Sequence, residues 1–201
     1  MTVSIIHALD VPPQPWRNGG GITRELLAWP SAQSWLVRIS LADIVQDGAF
    51  SAFPDVQRWF GVVQGAGVGL QFADQQVMQT LASEALQFDG AAAPFCRLLE
   101  GATQDMNLML RGSDAAQGCM QPVSPGVAWQ SCKPLRALFT TAAGVWCDDF
   151  HEQRLAAYDF LWTANATGSA WRFICDAPAD APPTPLTGAW WLGAQVRKET
   201  L

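Results

Sequence analysis

The sequence predicts an all-β fold made of two jelly-roll or barrel-like halves packed as one compact unit. Short apolar runs recur at intervals of roughly ten residues with turn residues between them, the spacing of sandwiches and barrels. Helical periodicity is scarce, and apolar residues alternate instead. In Ser34–Ala42, Trp35, Val37, Ile39 and Leu41 fall on one face, and Leu36, Arg38, Ser40 and Ala42 fall on the other. The segment Arg136–Trp146 also echoes Arg58–Val68. Each runs from a basic residue through an apolar strand and a small-residue turn into a second strand, as an internal duplication would.

The totals narrow the function classes. The chain has 201 residues, 49% hydrophobic and 15% charged. A chain of this length buries roughly 70% of its unfolded surface, so it needs no metal or disulfide to fold. A net charge of −6 argues against nucleic acid, which is met by clustered Lys and Arg. No apolar run of roughly 18 residues and no leader-like start occur, so the expected location is the cytoplasm, away from membranes. Five cysteines without CxxC spacing read as free thiols in a reducing compartment. The lysines are Lys133 and Lys198, and every other basic residue is arginine, which suits fixed two-pronged contacts to carboxylates. Ten tryptophans against one tyrosine place large apolar rings in the core, with a few left to line a pocket.

In chain order, Pro15-Trp16-Arg17-Asn18 leads into Gly19-Gly20-Gly21 and then the strand opening Thr23-Arg24-Glu25. The glycines let the backbone bend sharply and bring Trp16 and Asn18 over a barrel mouth. Thr23 and Glu25 share one strand face, and Arg24 takes the other. The strand Ser34–Ala42 follows, then an aromatic turn over Asp47–Asp55. Gln57–Phe72 reads as a hairpin whose joint is Gly65-Ala66-Gly67. Further strands are expected at 79–82, 85–88, 95–99 and 106–110, with loops at 91–94 and 112–121. Gln121–Gly126 is the boundary between a first half, 1–120, and a second, 121–201. A proline-rich loop over Asp176–Thr187 and a last strand over Gly188–Val196 close the chain.

Several chemistries find no support. His7 and His151 are the histidines, and no His-x-His or cysteine pair at ligand spacing exists, so no metal or other cofactor is expected. No Gly-x-Ser-x-Gly elbow is present. The Gly65-x-Gly67-x-Gly69 run lacks the spacing and the helix of a nucleotide loop. What remains is a set of polar residues inside apolar strands. Arg24, Arg38, Arg58 and Arg111 are the candidate carboxylate partners, Asn18, Ser40 and Asn107 the orienting groups, and Trp16 a lid. Arg38 and Arg111 are favoured because each shares a strand face with other polar candidates: Ser40 for the first, Asp105 and Asn107 for the second.

Trp16-Arg17-Asn18-Gly19-Gly20-Gly21 followed by Thr23-Arg24-Glu25 resembles the opening motif of the HutD/Ves family. The resemblance continues through Arg38-Ile39-Ser40, Ala42-Asp43, Asp47-Gly48, Phe50-Ser51, Phe53-Pro54, Arg58, Gly65-x-Gly67, Phe88-x-Gly90 and Asp105-x-Asn107-x-Met109-x-Arg111. It covers about residues 14 to 112. Arg17 stands where a lysine is often found in that motif. The resemblance implies a bicupin fold, an association with histidine-utilisation operons and no established catalytic activity. It further implies binding of a small acidic metabolite such as N-formylglutamate or urocanate, by which the pathway is tuned. The resulting expectation is a metal-free carboxylate-binding protein, with exposed strand edges through which two copies could pair as a homodimer. One alternative is a metal-independent isomerase or hydrolase with Glu25 or Asp105 as general base. Another is a protein-binding regulator that presents Trp190-Trp191 as an exposed patch.

Overall fold

A computed structural model describes residues 2–112, 117–166, 168–176 and 186–195. In chain order its strands begin with β1 (Ser4–His7), β2 (Gln14–Pro15), β3 (Gly21–Trp29), β4 (Val37–Ile44), β5 (Gly48–Ala49) and β6 (Val56–Gln64). There follow β7 (Val68–Gln71), β8 (Gln76–Gln79), β9 (Leu86–Asp89), β10 (Phe95–Leu98), β11 (Thr103–Arg111) and β12 (Gln117–Val123). The last are β13 (Leu135–Phe139), β14 (Gly144–Cys147), β15 (Glu152–Leu155), β16 (Asp159–Thr163), β17 (Arg172–Cys175) and β18 (Leu186–Gln195). Two short 3-10 turns, Ala8–Asp10 and Gly90–Ala92, are the helical pieces among the described residues. The expected all-β class is therefore the observed one.

The chain divides into two compact units, Val11–Gln117 and Met1–Asp10 with Gly118–Gln195. The first holds a six-stranded sheet in the order β2-β3-β4-β11-β6-β9 and a four-stranded sheet β5-β10-β7-β8. The second holds β1-β16-β13-β18-β12 and β15-β14-β17. The pairing scheme repeats between them. As β6 lies between β9 and β11, and β7 between β8 and β10, so β13 lies between β16 and β18, and β14 between β15 and β17. The sequence echo thus marks strands with equivalent neighbours. Each unit consists of two open sheets rather than a closed barrel.

Other expectations are corrected. Gly65 and Gly67 do have positive φ, +96° and +104°, but they do not close a hairpin. They carry the chain from the six-stranded sheet into the four-stranded one, since β6 pairs with β9 and β11 while β7 pairs with β8 and β10. A side chain at Gly67 would run into the carbonyl of Gln79. The strand expected at 79–82 ends at Gln79, because the Ser83 hydroxyl takes the Thr80 amide at 3.1 Å and turns the chain. Part of the expected loop 112–121 is β12, and residues 113–116 lie outside the described set. The expected loop Asp176–Thr187 lies mostly outside it as well. The chain's first strand does not join the unit that follows it in sequence. Ser4–His7 pairs with β16, so the apolar Ile5 and Ile6 extend the second unit's sheet.

Both units bury apolar faces, each large side chain contributing about 1.5–3 kcal/mol. Val37, Ile39, Leu41, Met106, Leu108 and Leu110 make one fully buried face of the six-stranded sheet. The opposite face joins Phe50, Phe60, Val62, Val68, Leu70, Phe88 and Cys96 in a cluster. The second unit is built on tryptophan. Trp129 stacks on Trp191 with ring centres 5.2 Å apart, and Trp146 meets Trp171 edge-on at 5.0 Å. Trp190 and Trp191 are each 2% exposed, so they form core and not the exposed patch that their adjacency suggested.

Candidate functional site

Antiparallel register brings the polar residues of the first unit together. Ser40 on β4 lies opposite Asn107 on β11, and Ala42 opposite Asp105. Met109 lies between Arg38 on β4 and Arg58 on β6. Thr23 on β3 lies opposite Ala42. Residues opposite one another in a ladder share a face. These therefore form one polar field, which is the floor of an open cavity of about 710 Å³. Its walls come from Trp16, Arg17 and Asn18 on one side and from Phe50 and Phe53 on another. That volume lies in the range of small-molecule sites, about 300–1,000 Å³.

The glycine run builds one wall. Gly19 takes φ +71°, and the Trp16 carbonyl accepts its amide at 3.1 Å. The Asn18 carboxamide oxygen accepts from the Gly20 amide at 3.0 Å, which fixes the turn. Gly21 lies so close to the Asp43 carbonyl and the Trp16 ring that no side chain fits there. Trp16 is then pinned by its indole N–H, which donates to the Thr23 hydroxyl at 2.7 Å, and by an edge-on contact with Phe50. The run of three glycines thus holds a tryptophan at the cavity wall.

On the β6 side of the floor stands Arg58, 6% exposed. Its guanidinium carbon lies 5.0–5.7 Å from the ring centres of Phe88, Phe50 and Phe53. Its Nη2 donates to Asn107 Oδ1 at 2.8 Å, and Asn107 Nδ2 donates in turn to Asp105 Oδ2. Arg58 Nε and Asp105 Oδ1 are buried with no hydrogen-bond partner. Burial pushes the Asp105 carboxyl up to about 8, against the opposing pull of Arg58 and Asn107. Burial also lowers Arg58 to about 10, which still leaves it charged at neutral pH. The pair therefore does not cancel. Burial thus favours the neutral form of Asp105, while Arg58 keeps its positive charge at neutral pH.

Of the eight residues singled out from sequence, Trp16, Asn18, Arg38, Ser40, Arg58 and Asn107 line this cavity. Arg38 reaches it with its Nε committed to Glu25 at 2.7 Å. Arg24 and Arg111 do not line it. Arg24 projects from the other face of β3 and binds Asp43 at 2.7 Å, while Gln104 holds the second Asp43 oxygen. Arg111, at the exposed end of β11, lies 4.3 Å from the centre of the Trp35 ring. The preference for Arg111 over Arg58 is thus reversed, because a shared strand face does not place the last residue of a strand inside the cavity. The phenylalanine cage around Arg58 was half visible: Phe50 and Phe53 belong to the aromatic turn over Asp47–Asp55, but nothing local joined them to Phe88 on β9 or to Arg58. Among the described residues no group of three or more His, Cys, Asp or Glu could hold a metal ion. No helix there is long and apolar enough to cross a membrane.

Fold and site define an all-β protein with an open, arginine-floored cavity in one of two similarly wired units. The chain belongs to the HutD family, whose profile matches residues 8–181. A Pseudomonas putida relative, an uncharacterized 21.2 kDa protein in the hutC 3′ region, is 37% identical over 109 residues, 53% of this chain and 57% of that one. Protein Ves of Citrobacter koseri is 33% identical over 103 residues, 50% of this chain and 54% of that one. The chain spans little more than half the length of these curated relatives. Solved structures match over nearly the whole chain. A conserved protein of unknown function from Pseudomonas aeruginosa PAO1 has a TM-score of 0.81 and 26% identity, with 98% of this chain and 100% of that one covered. HutD from Pseudomonas fluorescens SBW25, in a formate condition, has a TM-score of 0.77 and 24% identity over the same shares.

Proposed function

We propose that the chain is a metal-free bicupin that binds a small carboxylate of histidine breakdown, such as N-formylglutamate or urocanate, and thereby tunes that pathway in the cytoplasm. The observation that carries this reading is Arg58, a buried cation that lines the floor of a small-molecule-sized cavity. A guanidinium removed from water, next to Asn107 and Ser40, suits a carboxylate better than a neutral ligand. The hutC-region relative and the HutD relative support the pathway.

Thermal unfolding with histidine, urocanate, imidazolone propionate, formiminoglutamate, N-formylglutamate, glutamate and formate tests it. A ligand at about 100 times its Kd adds roughly 2.7 kcal/mol. At about 2–4 °C per kcal/mol that raises the midpoint by about 5–10 °C. One selective acid is the expected result, and no shift with any of them would remove the reading. A second reading is favoured by Asp105 alone. A buried carboxyl titrating near 8 has the tuning of a general acid or base, and turnover of one of these acids by purified protein would establish an enzyme.

A further inference from the structure

Of the trio Thr23-Arg24-Glu25, two members have a clear task. Thr23 pins Trp16 at the cavity wall, and Arg24 binds Asp43 on the other face. Glu25 remains. It lies opposite Ser40 on β4, and β3 is bulged between Glu25 and Leu27, so that Arg38 comes opposite Ala28. A bulge re-aims the side chains beside it. Glu25 does not line the cavity, yet its Oε2 accepts from Arg38 Nε at 2.7 Å, and Arg38 does line it. The side chains of Arg38 and Glu25 are 19% and 25% exposed. Arg38 therefore differs from Arg58: none of its nitrogens is both buried and unpartnered, whereas Arg58 Nε is.

We propose that Glu25 is a positioning residue: by holding Arg38 Nε it fixes the guanidinium with its Nη1–Nη2 edge free for the cavity, where a carboxylate meets a preset two-pronged donor. A guanidinium is a rigid flat fork, so fixing one nitrogen and the plane fixes the direction of the others. The proposal rests on the carboxylate reading given above and adds the edge that meets the ligand and the residue that aims it. Glu25 itself touches no ligand and is no general base.

Two effects of Glu25 oppose each other, and their signs separate aiming from plain electrostatics. As an anion beside the site, Glu25 repels an arriving carboxylate, so removing its charge tightens binding. As the holder of Arg38, it removes in advance the side-chain freedom that binding must otherwise remove, and losing it weakens binding by up to about tenfold. Arg38 and Arg58 flank Met109 on one floor, and their like charges push Arg38 away unless something holds it. Water reaches the Arg38–Glu25 pair and screens the repulsion of the ligand. The holding effect is therefore the larger one.

Calorimetric titration of the full chain with formate and with N-formylglutamate, at one pH and salt concentration, reads the sign. Glu25→Ala loses both charge and acceptor and is expected to bind about tenfold more weakly than the parent. Glu25→Gln loses the charge but keeps an oxygen for Arg38 Nε, and it is expected to bind at least as tightly as the parent. Without ligand, both variants should unfold within about 3 °C of the parent, because a partly exposed ion pair adds little stability. Unchanged or tighter binding by Glu25→Ala overturns the positioning role and leaves the carboxylate reading standing. Equal losses in the two variants overturn it as well, since the conservative change keeps the acceptor and should rescue. Absence of binding of either probe to the parent overturns both.

Discussion

Arg58 and Arg136 stand on equivalent strands of the two units, one between β9 and β11, the other between β16 and β18. Both are buried, and both lie among aromatic rings. Their partners differ. Arg136 donates through Nε to the Lys133 carbonyl at 3.3 Å, through Nη1 to the Ser169 carbonyl at 2.6 Å, and through Nη2 to the Ser131 carbonyl. It uses every nitrogen on its own unit's backbone. Arg58 spends Nη2 on the Asn107 side chain and leaves its buried Nε without a hydrogen-bond partner. The same residue at the same place in a repeated scheme thus serves as a strut in one unit and lines an open cavity in the other. What separates the roles is who satisfies the donors.

Breaking the comparison gives effects of graded size. Arg136→Met would strip the donor from three carbonyls, at about 1–3 kcal/mol for each that stays buried and unpaired. The expected fall in unfolding midpoint is about 10 °C, at roughly 2–4 °C per kcal/mol, as scanning calorimetry would measure. Arg58→Met leaves one buried acceptor, Asn107 Oδ1, without its donor, at about 1–3 kcal/mol, so its midpoint should fall by about 5 °C, less than that of Arg136→Met. Its ligand-induced shift should vanish in the same experiment. A midpoint that collapsed instead would make Arg58 a second strut. Arg38→Ala should leave a folded protein and abolish the ligand shift, because Arg38 shares the cavity floor. Unchanged binding would remove Arg38 from the site. Arg24→Ala sharpens the picture from outside. It breaks a partly exposed ion pair on the opposite face, which costs about 1 kcal/mol or less, and the ligand shift should be untouched.

Much of this was legible in the chain. Alternation put Arg38 with Ser40 on one face of Ser34–Ala42 and Asn107 with Asp105 on one face of Asp105–Arg111, because a strand's period of two needs no tertiary context; the register that joins the two faces came from the structure. The echo of Arg58–Val68 in Arg136–Trp146 pointed to the repeated wiring. Sequence could not say which neighbouring sheet each strand would join, so the glycine joint at 65–67 read as a hairpin when it is a crossing. Nor could it separate Arg58 from Arg111. That distinction rests on a phenylalanine cage assembled from Phe50, Phe53 and Phe88 and on Trp35 beside the last residue of β11. Long-range packing of this kind leaves no local pattern.

The pairing of Ser4–His7 with β16 also fixes an order of events on the ribosome. His7 and its partner Asp159 are 152 positions apart. At about 5–20 residues per second, the first strand waits roughly 8 to 30 seconds for its neighbour to be made. The strands of Val11–Gln117 are all synthesised within that interval, so the unit that holds the cavity can close before its companion has the means to. A segment made before the whole of Val11–Gln117 is thus among the last to find its place, and a chaperone holding it would delay the later unit while sparing the cavity.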